Sequence, residues 1–261
     1  MATERLPVQL AARVLGVSES GYYEWRGRAP SQRDIRHAWL TGLTRQAHAD
    51  SRGTYGARRV HAELVLGRGI TGRPKWRHAK PGNIACDLVD RCFSRASPNQ
   101  LWVTDITEHP TREGKVYCCV VLDAYSRRVV GWPVDASPTA ALVTSALGMA
   151  IDNRRPSAGA LIHSDQGTQF ASWVFTDRAR ASGLVPSMGS VGDCYDNAMI
   201  ESFWSRMQVE LLDRHRWRTR MELANAIFDY LEIWHNRRRR HSSLGMLPPI
   251  EFESRKSAPV A

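Results

Sequence analysis

From residue 101 the chain first alternates and then fills with apolar residues. LWVTDITEH alternates, VYCCVVLDA is almost continuously apolar, and RRVVGWPV follows after a short turn. Alternation of period two predicts a half-buried strand, and an unbroken apolar run predicts one covered on both faces. These are three consecutive strands, an antiparallel meander with its middle member buried on both sides. Next, PTAALVTSALGMAID (138–152) predicts a helix, followed by a strand at 160–164, a helix at 170–182 and a brief strand at 184–188. A glycine-bearing loop, GSVGDCYDN, feeds a long helix from about 196 to 213, and another helix spans 219–235. Strands first, then alternating helix and strand, predict a mixed α/β sheet with helices on its faces.

The first hundred residues follow other rules. VQLAARVLGVSESGYYEW (8–25) predicts two short helices joined by a tight turn at Gly16, with Ser18 capping the second. Residues 31–66 are mainly helical, interrupted by SRGTYGARR (51–59), with a further helix at 57–66. GRGITGRPKWRHAKPGN then reads as a linker, rich in Gly, Pro and basic residues and without periodicity. The domain plan is a helical, helix-turn-helix-like arm (1–66), a basic linker (67–94) and an α/β core with a C-terminal helix and basic tail (95–258).

Charge sharpens that division. Of the net charge of +10, residues 1–80 carry 15 Lys/Arg against 6 Asp/Glu, while residues 81–261 carry 21 against 20. Nearly all the excess lies in the arm, which points to a polyanionic partner. The 261 residues are 43% hydrophobic, enough for one large core with appendages. No apolar run approaches the ~18 residues that span a bilayer. The N-terminus lacks a signal-peptide pattern, and five cysteines without a CxxC pair argue against a disulfide framework. The expected compartment is the cytoplasm.

Candidate chemistry rests on three acids. Asp105 lies in the first strand, on the face of Leu101 and Val103. Asp165 ends the strand LIHSD. Glu201 flanks the helical stripe Met199, Phe203, Met207 and Leu211, roughly 120° from its centre at ~100° per residue. Taken singly, each is an ordinary turn cap or a solvated acid. Converging, they would repel one another and raise one another's pKa values unless a cation joined them. Oxygen-only ligands suit magnesium or manganese rather than zinc. Two such ions activate a water or 3′-hydroxyl and stabilise the leaving oxygen of a phosphodiester.

At these residues the sequence resembles the integrase-core (Asp-Asp-Glu) transposases of bacterial insertion sequences, the downstream-frame products related to retroviral integrases. The phrases that carry the resemblance are LWVTDIT, VVLDAYSRRVVGW, LIHSDQGTQF, VPSMGSVGDCYDNAMIESFW and WHNRRRRHSSLGMLPPIEF. It covers residues 95–253, with weaker agreement at VLGVSESGYYEW and SRGTYGARRVHAEL. It implies an RNase H-like fold, magnesium-dependent cutting at element ends and transfer of the new 3′-hydroxyl to target DNA. Asp105, Asp165 and Glu201 fall on the family's catalytic positions. The implied partners are double-stranded DNA, further copies of the chain on that DNA, and an upstream-frame helix-turn-helix protein. Around the acids, Asn197, Ser205 and Gln208 share the Glu201 side of the helix and are candidates for contact with the scissile strand. His163 and Gln169 flank Asp165. Arg237, Arg238, Arg239 and Arg240, with His241, are candidate phosphate contacts.

Two departures from the family stand out. Many relatives carry Lys seven residues after the Glu, poised for phosphate; here that position is Gln208, so the contact is expected to be weaker or supplied by Arg206. After SRGTYGARRVHAEL, one to two dozen expected residues are absent, so the second DNA-reading unit is incomplete. Binding is then expected to run mainly through phosphates and to weaken steeply with salt. Two other readings compete: a catalytically idle DNA-binding remnant of such a transposase, and an RNase H-like nuclease acting on RNA–DNA hybrids. Neither a zinc pattern nor a GxxxxGK[ST] loop is present, so no zinc and no nucleotide energy source are expected.

Overall fold

In the computed structural model the described residues are 7–71, 95–165, 167–188 and 198–257. The chain divides into two compact units, Met1–Pro74 and Lys75–Ala261. Most of the expected linker and the loop GSVGDCYDN lie outside the described residues.

In the first unit, α1 (Val8–Leu15) and α2 (Glu19–Gly27) form the expected pair. Gly16 makes the turn between them with φ +67°, a left-handed conformation that glycine adopts without steric cost. Ser18 caps α2 by accepting the Gly21 N–H at 3.1 Å. α3 (Gln32–Asp50) opens on a capping box between Ser31 and Asp34. α4 (Ala57–Ala62) follows and loosens into a π-helical turn, Glu63–Gly67.

The second unit is built on a six-stranded mixed sheet. β1 (Leu101–Thr111), β2 (Gly114–Asp123) and β3 (Val129–Gly131) are the antiparallel meander, and the short β4 (Val134–Asp135) also pairs with β2. β5 (Leu161–Ser164) and β6 (Val185–Met188) add parallel strands on the other side of β1, in the order β3-β2-β1-β5-β6. Cys118 to Asp123 of β2 are all buried, as an uninterrupted apolar strand requires.

One face packs on α5 (Ala140–Arg154) and α6 (Trp173–Ala181). Trp102, Cys119, Val121 and Ile162 of the strands meet Leu142, Val143, Ala146 and Leu147 of α5 and Phe175 of α6. β3 lies so close to α5 that a Cβ on Gly131 would collide with the Ala146 carbonyl oxygen. By alternation Leu101, Val103 and Asp105 face the opposite way. There α7 (Ala198–Glu210) packs, with Met199, Ile200, Phe203 and Met207 buried. α8 (Arg220–Phe228) continues as a π-helical segment, Asp229–His235, and the fold closes with α9 (Pro249–Ser257).

The segment after α8 clasps the sheet edge. Buried Asn236 accepts the Val129 N–H and donates to the Val129 carbonyl, both at 2.9 Å, so its amide pairs with β3 as a neighbouring strand would. His235 Nε2 donates to the Arg127 carbonyl at 2.8 Å. From α9, Glu253 accepts bidentate bonds from Arg154 at 2.9 and 2.8 Å.

His235 also sets a pH limit. Its burial, followed by the charge of Arg239, lowers its pKa to about 4, outweighing the Arg127 bond and the Glu210 charge. The unfolded imidazole titrates near 6.5, so between about pH 4 and 6.5 the unfolded state binds the extra proton. The neutral ring's contribution is complete above 6.5 and is lost as the pH falls toward 4, on the order of 3 kcal/mol. Thermal melts of wild type and His235→Gln isolate this group from others that titrate in the same range: as the pH falls from 6.5 toward 4, the wild type should lose Tm relative to His235→Gln. Parallel curves for the two proteins would contradict the assignment.

Candidate active site

β1 and β5 run parallel, with Val103 opposite His163 and Thr104 opposite Ser164. Asp105 and Asp165 are the next residues of the two chains, each directly after the last paired position. Alternation puts both on the face of Val103 and His163. Adjacent strands are ~4.8 Å apart, so two carboxylates stand together where the parallel pairing ends. They line one groove of about 260 Å³ with Ile106, Tyr117 and Gln169 among its walls.

Each acid is held differently. Asp105 is half-buried; its Oδ1 accepts the Ile106 N–H at 2.7 Å and its Oδ2 accepts the Trp204 indole N–H at 3.0 Å. Asp165 is exposed, and its Oδ1 accepts the Gly167 N–H at 3.0 Å in a local turn just past the end of β5. A Cβ on Gly167 would stand 3.0 Å from that same oxygen and 3.2 Å from Gln169 Oε1, which leaves little room for any side chain there. Glu201 sits exposed in the first turn of α7. Burial raises the pKa of Asp105 to about 6; the charges of Asp165 and Glu201 push the same way, against the Ile106 and Trp204 bonds. Asp105 therefore feels the charges of both other acids. Among the described residues, no three His, Cys, Asp or Glu side chains already stand close enough to hold an ion jointly.

The donor set nevertheless fits a hard divalent cation. Asp105, Asp165 and Glu201 offer carboxylate oxygen only, which suits magnesium or manganese. A dication would also offset the repulsion felt by Asp105.

The flanking candidates separate. His163 Nδ1 lies 3.1 Å from Ser187 Oγ on β6, and Gln169 lines the groove. Asn197 lies outside the described residues. Gln208, seven residues after Glu201 and so on the same side of α7, donates to Asp213 at 2.6 Å. Arg206 is exposed but lies roughly 140° round the helix from Glu201 at ~100° per residue. The arginine run divides two and two. Arg237 and Arg238 are exposed, and Arg237 pairs with Glu232 at 2.5 Å.

Arg239 and Arg240 correct the expectation of phosphate contact, being 3% and 7% exposed. Arg239 grips Glu210 of α7 with bonds of 2.8 and 2.7 Å, and Arg240 donates to the Met246 carbonyl at 3.0 Å. The reason is backbone shape: the chain leaves the π-helical segment in a turn that points two guanidinium groups outward and two inward. Sequence reasoning also missed Trp204. Its spacing of three from Glu201, one turn along the same helix, is the signal that marks it.

Comparison with known proteins gives the family and the fold. The integrase core domain family matches residues 95–194, and a second integrase core domain description matches 182–249. An uncharacterised 31 kDa protein of insertion element IS600 from Shigella sonnei is 36% identical over 93% of this chain and 97% of its own. Transposase InsF for insertion sequence IS3A of Escherichia coli (strain K12) is 31% identical over 96% of this chain and 95% of its own. These alignments run to 264 and 277 positions, so both relatives carry stretches that this 261-residue chain lacks. A chain of the simian T-cell lymphotropic virus intasome, in complex with PP2A regulatory subunit B56 gamma, superposes with a TM-score of 0.53 at 16% identity. That match covers 64% of this chain and 58% of the other, and the likeness is one of fold. The mixed sheet with helices on both faces is thus an RNase H-like integrase core. The chain belongs to the insertion-sequence transposases of the IS3 family.

Proposed function

We propose that this transposase cuts phosphodiester bonds at the ends of its element and transfers the new 3′-hydroxyl to target DNA through Asp105, Asp165 and Glu201. The observation that supports the reading most is that Asp105 and Asp165 follow directly on the last paired residues of β1 and β5 and line one groove, with Glu201 near enough to act on Asp105. Two magnesium or manganese ions bound by these acids would activate the attacking water or 3′-hydroxyl and stabilise the leaving oxygen. The chain's own part is to hold the acids. Asp105 stays fixed by Ile106 and Trp204 and Asp165 by its turn onto Gly167, and Glu201, in the first turn of α7, would supply the third carboxylate to the ions.

Double-stranded DNA is the substrate this reading requires. Arg237 and Arg238 are the exposed members of the basic run and the better candidates for phosphate; the charge of the arm supports a second contact. Cutting and joining two element ends requires more than one such centre, which supports a homo-oligomer on DNA. The direct test incubates the full chain with magnesium and duplexes bearing the element's own ends. Magnesium-dependent nicks leaving 3′-hydroxyls at the element boundary are expected. Binding without nicking would favour the catalytically idle alternative.

A further inference from the structure

We infer that Trp204 is a positioning residue for the carboxylate centre: its indole N–H fixes the rotation of Asp105 and sets the helix bearing Glu201 against β1. The inference deepens the proposed function and rests on that reading.

Asp105 lines the groove with Asp165 and is bonded to the helix that carries Glu201 through Trp204. A carboxylate in that place must present lone pairs in defined directions. A free aspartate side chain turns readily about its last torsion. Here two bonds stop it. Oδ1 accepts from Ile106 N on its own strand, and Oδ2 accepts from Trp204 Nε1 on α7. An ionised carboxylate has about four acceptor sites, so both oxygens keep capacity toward the groove.

The indole is itself held. Its ring meets the buried Phe203 ring edge-on, at 4.9 Å and 62°, and Phe203 meets the His235 ring at 5.1 Å and 84°. His235 is anchored by the Arg127 carbonyl. Rigid aromatic packing therefore runs from the sheet-edge clasp to the donor that touches Asp105. Glu201 lies three residues before Trp204, on the same side of the helix. The rotation of α7 that brings the indole to Asp105 also turns Glu201 toward the acids. A phenylalanine at 204 would keep most of the packing and lose the donor.

The test uses the full chain without DNA, comparing wild type, Trp204→Phe and Asp105→Asn. Mn2+ affinity is read from the electron paramagnetic resonance of the free ion. Ligand-orienting hydrogen bonds of this kind are worth about 10–100-fold in metal affinity, so Trp204→Phe should weaken Mn2+ binding by that factor. Asp105→Asn should weaken it further. In 15N-tryptophan-labelled protein, one of the nine indole resonances should shift in Asp105→Asn and move on Mg2+ titration. Binding by Trp204→Phe within about twofold of wild type, while Asp105→Asn has lost affinity, would overturn the inference and leave the carboxylate reading standing. Equal binding by wild type and Asp105→Asn would overturn that reading and this inference with it. Should Trp204→Phe not fold, the labelled spectra decide: no indole resonance responding to Asp105→Asn would overturn the positioning role.

Discussion

Asp165→Asn should abolish strand cleavage while leaving DNA binding nearly intact. The substitution removes a negative charge from the proposed metal site and barely changes shape; the amide oxygen still accepts the Gly167 N–H that now holds the turn. A loss of 10³-fold or more in rate, roughly 4 kcal/mol of transition-state stabilisation, is expected in a magnesium-dependent nicking assay. Affinity for duplex DNA in a gel-shift at fixed salt should stay within about twofold, since Asp165 neutralises no phosphate. Cleavage and binding lost together, with a lowered Tm, would mean that Asp165 is a turn cap and nothing more.

The largest effect on stability is expected away from the acids, at Arg239. Its guanidinium makes two bonds to Glu210, with both side chains almost wholly buried at 3% and 6% exposure. Glu210 also accepts from the Tyr230 hydroxyl at 3.1 Å and the Trp234 indole at 3.4 Å. Arg239→Met leaves a carboxylate buried without its cation, and such losses cost about 3–5 kcal/mol. Exposed Arg255 and Glu251 on α9 make a surface pair whose removal should cost no more than about 1 kcal/mol. Urea unfolding of the two single variants measures the contrast. Adding Glu210→Met to Arg239→Met should recover part of the loss, because neither charge is then stranded. The recovery stays incomplete: the Tyr230 hydroxyl loses an acceptor, worth about 1–3 kcal/mol. Equal costs for Arg239→Met and Arg255→Met would contradict the buried clamp.

Much of this molecule was readable from the order of its residues. The antiparallel meander follows from LWVTDITEH and VYCCVVLDA, because alternation and unbroken apolar runs report directly on burial. The stripe Met199, Phe203, Met207 and Leu211 is buried as its spacing requires, and Glu201 stands on the exposed flank. The adjacency of Asp105 and Asp165 was legible only as an expectation, since the parallel register of β1 and β5 depends on pairing across 59 intervening residues.

What stayed hidden is side-chain pairing across long loops. Glu210 reads as one more polar residue on α7 until Arg239, 29 residues later, meets it in the core. Asn236 reads as a loop residue, but its amide extends the sheet edge at Val129. The run of four arginines reads as one charged surface because composition does not show which way each side chain points. Trp204 reads as a core aromatic, and only the fold brings its N–H to Asp105.

The central claim is that Asp105, Asp165 and Glu201 hold divalent ions together. Crystals grown with manganese, measured at the manganese absorption edge, test it most directly. The account predicts anomalous peaks in the groove at about 2.1 Å, the distance of a small hard cation from its ligand oxygens, from Asp105 and Asp165, with Glu201 drawn in to complete the set. Manganese bound elsewhere, with no peak between Asp105 and Asp165 in protein that still nicks DNA, would contradict it.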